Sequence, residues 1–346
     1  MKNFPAEWAN QDAILMAYPH KDTDWAYMLD EAQCCFDEII NAIIHFDQTV
    51  ILLVPDKECS EFVAAKFGNR VHPLIIPTND TWARDFGAIF VRNGSTNVCC
   101  DFKFNGWGLK FAANKDNLIT GTMTCKNIFS DEVLYLNRLN FVLEGGSLET
   151  DGEGTLLTTV ECLLSPNRNG EWNRIEIEKY LKSAFGLSRI LWLNNGSIAG
   201  DDTDGHIDTL ARFCNHETIA YVKCYDKKDV NFEPLSYMED ELKTFRKSDG
   251  KPYKLVPLPM PEAIYFDGER LPATYANFLI INNAVLVPTY SSPRDKKAIE
   301  ILSSIFPERK VVGINCNALI KQHGSLHCVT MQFPAGTVRK VMSYEL

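Results

Sequence analysis

The chain has 346 residues, 45% apolar and 23% charged, enough to bury a sizeable core, and contains no apolar run of about 18 residues that would span a bilayer as a helix. Its formal net charge of −10, with no Lys/Arg-rich stripe, argues against a nucleic-acid partner and is compatible with a cationic small molecule. The 11 cysteines are irregularly spaced, include the adjacent pairs Cys34-Cys35 and Cys99-Cys100, and contain no CxxC; with no signal-peptide pattern in residues 1–19, a reduced cytosolic protein without membrane attachment is expected.

Elements follow from periodicity and turn residues. Residues 11–19 read as a buried strand, and 30–46 has helical apolar spacing through Phe36, Ile39, Ile40, Ile43 and Ile44. A β-branched strand at 49–54 ends at Pro55. A short helix over 60–67 takes Ser60 as its N-cap, and a strand follows at 71–76. Then a unit of two strands joined by a tight turn recurs: 82–102 around Asn93-Gly94, 144–160 around Asp151-Gly152, 204–223 around Asn215-His216-Glu217, and 277–290 around Asn282-Asn283. Helical segments are expected at 169–185, 239–246 and 294–306, with strands at 188–193, 254–257 and 310–314. Residues 245–276 are rich in Pro and polar residues and read as a loop with one short strand, a candidate lid. The last unit opens with His323-Gly324-Ser325, places Cys328 near the mouth of a strand over 329–333, and is expected to run to the C-terminus. No domain linker is evident.

The residues that open these units are Asp85, Glu144, His206, Asn277 and Cys328, separated by 59, 62, 71 and 51 positions. Recurrence at roughly this interval points to radial repetition about an axis, which would bring equivalent positions to one centre. Each residue alone has a plain structural explanation. A cysteine is often simply buried. Asp85 could pair with Arg84, Glu144 could be a turn residue, and Asp208 could fix the ring of His206. Together they supply a thiol, an imidazole and several carboxylates. A Cys–His pair suits nucleophilic catalysis. Carboxylates would repel the oxyanion of acyl transfer, but they match the forked N–H groups of a guanidinium.

Metal binding competes with this reading. His323 and His327 have the i,i+4 spacing of helical zinc sites, although Gly324 and the strand pattern downstream argue against a helix. Asp201, Asp202, Asp204 and Asp208 could hold a hard cation but lack the pattern of a calcium loop. No phosphate loop or dinucleotide fingerprint is present.

The segments WARDFGAIFV, FNGWGLKF, FVLEGGSLETDGEGTLLTTVECLLSPNRN, DDTDGHIDTLARF, YANFLIINNAVLVPTY and GSLHCVT, in this order, resemble the agmatine deiminases over most of the chain. These belong to the guanidine-modifying (pentein) superfamily, with arginine deiminases, amidinotransferases and bacterial peptidylarginine deiminases. The resemblance implies one catalytic domain over residues 1–346, an α/β fold, and a five-bladed propeller of ββαβ-type modules about a pseudo-fivefold axis. It implies Cys328 as nucleophile, His206 as general acid/base and Glu144 as the carboxylate pairing with histidine and substrate. Asp85 and Asp208 would grip the guanidinium, Trp82 and Trp107 would wall the aliphatic chain, and Asp202 would meet the distal amine.

The implied reaction is hydrolysis of agmatine to N-carbamoylputrescine and ammonia through a covalent thiouronium on Cys328, in putrescine and polyamine biosynthesis. It uses no metal or organic cofactor, and the enzyme would be a cytoplasmic homo-oligomer. A peptidylarginine deiminase, another guanidine hydrolase, or a silent polyamine-binding propeller are the alternatives. Two segments depart from the family pattern, Gln322–Ser325 before the nucleophile and Leu148-Glu149-Thr150 after the EGG, and both bear on recognition of the substrate's tail. His323 is a second titratable group or a turn residue, and turn geometry favours the latter.

Overall fold

Thr49–Val54 (TVILLV) carries β-branched or large apolar side chains throughout, the composition of a strand covered on both faces. It is one of the two inner strands of a four-stranded sheet, parallel to Gln11–Ala17 on one side and to Val71–Ile75 on the other. Helix Leu29–His45 packs against it, burying Ala32, Cys35, Phe36, Ile39, Ile40 and Ile43 at the spacing of one helical face. The computed structural model describes residues 2–339.

The described residues form five such sheets, of three or four strands each, and one small hairpin, Tyr265–Phe266 with Glu269–Arg270. The chain is mixed α/β. Each sheet repeats one topology: an antiparallel pair, a helical crossover or loop, then a strand parallel to the second. Ile89–Asn93, Thr96–Lys103 and Leu134–Val142 make one. Glu149–Thr150, Thr155–Thr159 and Arg189–Leu193 make the next. Ala211–Phe213, Thr218–Lys223 and Lys254–Pro259 follow, then Leu279–Ile280, Ala284–Thr289 and Lys310–Asn315. The fifth joins the two halves of the sequence, because Met331–Pro334 pairs antiparallel with Gln11–Ala17. The last unit is therefore completed by the N-terminal strand–helix–strand segment, whereas the sequence reading ran it on to the C-terminus.

Local differences have local causes. The helix expected over 60–67 is Lys57–Phe67, because Asp56 accepts the Cys59 N–H and caps it one turn earlier than Ser60 would. The helix expected over 169–185 is split into Pro166–Asn169 and Arg174–Phe185; Asn173 and Glu176 form a capping box at the restart, and Gly186 ends it in a left-handed conformation. Phe232–Thr244 is longer than the expected 239–246, since Pro234 falls in its first turn, where no N–H is needed. Residues 245–276 supply the parallel strand Lys254–Pro259 as well as the hairpin.

Candidate active site

The residues that open each unit sit in or beside turns and loops just ahead of its first strand, not in the strand itself. Asp85 lies in the helical turn Ala83–Phe86, Glu144 and His206 immediately precede the turns Gly145–Ser147 and Ile207–Thr209, and Cys328 sits in a turn three residues before Met331. Repetition of the sheet topology brings all five together, and all are buried. His206 Nε2 is 2.9 Å from Glu144 Oε2, and His206 Nδ1 is 3.7 Å from Asp85 Oδ1. Asn277 flanks Cys328, its amide nitrogen and oxygen 3.3 and 3.4 Å from the sulfur. Asp85 accepts the Gly146 N–H on Oδ1 and the Trp107 indole N–H on Oδ2, both at 2.9 Å. A Cβ at Gly146 would stand 2.5 Å from His206 Nδ1, so only glycine permits that approach.

Asp208 does not fix the ring of His206. Its Oδ2 lies 2.7 Å from Nδ1 of His327, and its Oδ1 is buried with no hydrogen-bond partner. Asp85 is not paired with Arg84, which donates to Gln332 and to the backbone of His327 and sits 4.0 Å from Glu7.

A cavity of about 800 Å³ opens onto Cys328, lined by Trp82, Asp85, Trp107 and Asp202, with further acidic side chains from Asp24, Asp80, Asp201, Asp267 and Glu269. Lys321 is the one lysine or arginine among its lining residues. The short hairpin contributes Phe266 and Glu269 to the mouth. Gln322, His323 and Gly324 also line the wall. His323 is a turn residue, with φ of 64°, and its Nδ1 is 2.7 Å from the Gly200 carbonyl. A Cβ on Gly324 would come within 2.0 Å of the Trp82 ring, so the turn before Cys328 seats that indole. Glu149, in the other departing segment, points away from the cavity and pairs with Arg212 at 2.6 Å.

The electrostatics follow from burial and neighbours. Burial, then the charges of Asp208 and Asp85, pushes the Cys328 thiol well above its ordinary value. Burial, with Glu144 and Asp208 nearby, raises Asp85 to about 6 against the opposing pull of His206. Burial works against ionising Glu144, yet the hydrogen bonds and charges of His206 and Arg168 hold its carboxyl below the usual range. Burial likewise opposes the His206 imidazolium, but Asp85, Cys162 and Glu144 raise it well above its ordinary value.

The metal alternatives are not assembled. His323 and His327 turn to different partners, the Gly200 carbonyl and Asp208. Asp204 pairs with Lys110 and Arg168, and Asp201 receives Thr203 and Gly205. Among the described residues, Glu144, Cys162 and His206 bring ligand atoms within 4.8 Å of one another. Arg168 already places its guanidinium on the same carboxylate, and a positive charge there opposes a cation.

Residues 3–334 match the family model described as Porphyromonas-type peptidyl-arginine deiminase. The chain belongs to that family. A Legionella pneumophila (strain Paris) protein provisionally named an agmatine deiminase is 35% identical over 95% of this chain and 94% of its own. A C. jejuni agmatine deiminase, solved as a cysteine-to-serine variant with substrate bound, is 38% identical with a TM-score of 0.90, covering 98% of each chain. A Porphyromonas gingivalis structure provisionally described as an arginine deiminase is 52% identical with a TM-score of 0.93, covering 98% of this chain and 100% of that one.

In this peptidyl-arginine deiminase family member, three contributors to the site escaped the sequence reading. Arg168 sets Nε 3.0 and 2.9 Å from the two oxygens of Glu144. It sits in SPNRN, which reads as turn composition; a lone arginine there was the available signal. Asn277 was counted as a unit opener without a role. Glu7 reaches His327 from the N-terminal segment, and nothing in PAEWA marks it as buried.

Proposed function

We propose that this protein is an agmatine deiminase, hydrolysing the guanidinium of agmatine to N-carbamoylputrescine and ammonia, a step toward putrescine. The observation that carries the reading is a buried thiol, Cys328, whose charged neighbours are the buried carboxylates Asp85 and Asp208, with one Asp208 oxygen unpartnered. Carboxylates in that position repel an oxyanion and accept guanidinium N–H groups in pairs.

Asp85 and Asp208 hold the guanidinium while the indoles of Trp82 and Trp107 flank the aliphatic chain. Asp202 and its acidic neighbours face the distal ammonium. The raised thiol stays protonated in the free site; the incoming cation lowers the cost of thiolate at Cys328, whose proton passes to solvent and finally accompanies the released ammonia as ammonium. The thiolate attacks the guanidinium carbon. His206, held as imidazolium by Glu144 and Asp85, protonates the departing ammonia and leaves a thiouronium on sulfur. Neutral His206 then takes a proton from water, whose attack releases the ureido product and the thiol. All groups in this scheme belong to the chain itself.

The five repeated sheets are read as five blades about a pseudo-fivefold axis, with the turn residues facing its centre. Eleven free thiols fit a reducing cytoplasmic compartment. The family's own description favours a second reading, a peptidylarginine substrate; the acidic cavity favours a cationic tail over one bearing a free carboxylate. Ammonia release from agmatine, arginine and a peptidyl-arginine, measured side by side, tests both. Turnover of agmatine above the other two is expected, and its absence overturns the first reading.

A further inference from the structure

His327 has no step in the reaction above, yet it joins the two halves of the site. Its backbone N–H is held by Asn277 Oδ1 at 2.8 Å, and the next residue in the chain is Cys328. Its ring is buried, with Nδ1 2.7 Å from Asp208 Oδ2 and Nε2 2.8 Å from Glu7 Oε2. Glu7 is itself immobilised. Its Oε2 receives Arg212 and its Oε1 the Ile280 N–H, each at 2.6 Å. Arg212 is tied to Glu149 at 2.6 Å and to the Phe278 carbonyl at 2.6 Å. The chain of contacts runs from a rigid buried ion network, through one imidazole, to the carboxylate whose other oxygen is unpartnered.

We propose that His327, anchored by Glu7, is a positioning residue for guanidinium capture. The proposal rests on the deiminase reading. By engaging Asp208 Oδ2, the ring fixes the plane of that carboxylate and leaves Oδ1 as an aimed acceptor. Because His327 and Cys328 are adjacent in the chain, the same residue sets the acceptor and the sulfur relative to each other. A near-attack geometry depends on that relation, and a displacement of about 1 Å can cost on the order of 100-fold in rate.

The two ring nitrogens can be separated by substitution. An asparagine amide overlays Nδ1 and retains the donor to Asp208; a glutamine amide overlays Nε2 and retains the contact with Glu7. In His327→Asn the acceptor stays oriented, and kcat/KM for agmatine falls less than about tenfold. In His327→Gln it is released, KM rises, and kcat/KM falls about 100-fold. Glu7→Gln, which keeps the shape but loosens the anchor, falls between them. Thermal unfolding of each variant separates misfolding from misplacement, and agmatine binding to the His327→Asn and His327→Gln forms of a Cys328→Ser protein repeats the comparison without chemistry. Equal losses in His327→Asn and His327→Gln, with wild-type turnover intact, overturn the positioning role alone. No turnover of any guanidine by the wild-type protein overturns the deiminase reading and, with it, this proposal.

Discussion

Arg168 forks onto Glu144, with Nε within 3.0 Å of both carboxylate oxygens, and the two side chains are shielded from solvent. The same guanidinium reaches Asp204 and the Thr203 carbonyl at the cavity rim. One residue thus couples the partner of His206 to the loop that carries Asp202. Replacing it by methionine removes one of the two cationic partners of the buried Glu144 carboxylate and leaves His206 as the other, so the loss should stay below the roughly 3–5 kcal/mol of a fully unpaired buried charge. Lysine restores charge without the fork, so Arg168→Lys should recover most of the stability and still lose about tenfold or more in kcat. Thermal unfolding and ammonia release on the same preparations check this; a lysine variant with full activity would show that the fork is not needed.

Substrate-assisted ionisation of Cys328 has a chemical signature. Burial and two carboxylates keep the free thiol protonated at neutral pH. Neutral iodoacetamide should therefore alkylate Cys328 slowly at pH 7, whereas a cationic haloacetamidine, which satisfies Asp85 and Asp208, should react more than about tenfold faster once intrinsic reactivity is matched. Peptide mapping by mass spectrometry identifies the modified cysteine. A thiolate that titrates below about 7 in the free protein, as in low-pKa paired cysteines, would contradict the idea.

The indole N–H of Trp107 supports the charged form of Asp85. Trp107→Phe keeps an aromatic wall and deletes that donor, so the Asp85 carboxyl should rise further. If Asp85 grips the cation as proposed, its ionised form is the binding one, and the acid limb of kcat/KM should move to higher pH, by about one unit for a hydrogen bond to a charged group. The alkaline limb should stay where it is. A profile scaled down without a shift would assign Trp107 to packing alone.

Asp116 offers a stability test away from the reacting groups. Burial raises its carboxyl to about 7, against the Asn79 N–H that it accepts at 2.6 Å. The unfolded chain ionises this group in the ordinary range near 4. Between those values the folded protein binds more protons, so the group's contribution to stability falls as pH rises through that window and is level above it. Asp116→Asn removes the titration. Its stability relative to the parent should therefore climb from about pH 4 to about pH 7, read from denaturant unfolding at several pH values. A constant difference across that range would remove the assignment.

Much of the fold was legible because turn residues and β-branched runs act locally. Asn93-Gly94, Asn215-His216-Glu217 and Asn282-Asn283 each lie at the connection of an antiparallel pair, and the interval between units brings Asp85, Glu144, His206 and Cys328 together. What escaped depends on the folded backbone or on distant partners. Asp56 outcompetes Ser60 only in the folded backbone. Glu7 reaches His327 across 320 positions, beyond any local window, whereas Arg168 meets Glu144 only 24 positions away, and nothing in SPNRN marks its arginine as facing inward. The segments that carry the candidate residues were expected as strands and are turns, because their backbones curl to turn the side chains inward.

The pairing of Met331–Pro334 with Gln11–Ala17 has a consequence for synthesis. Gln11–Ala17 is synthesised more than 300 residues before its partner, and Cys328 lies on the stretch leading to that later strand. Until that later strand has emerged from the ribosome, four sheets can close but the fifth keeps an unpaired apolar border, a template for association with other nascent chains. A chaperone-sensitive interval before the Met331–Pro334 strand emerges, and activity that appears only after it, follow from where that one seam is placed.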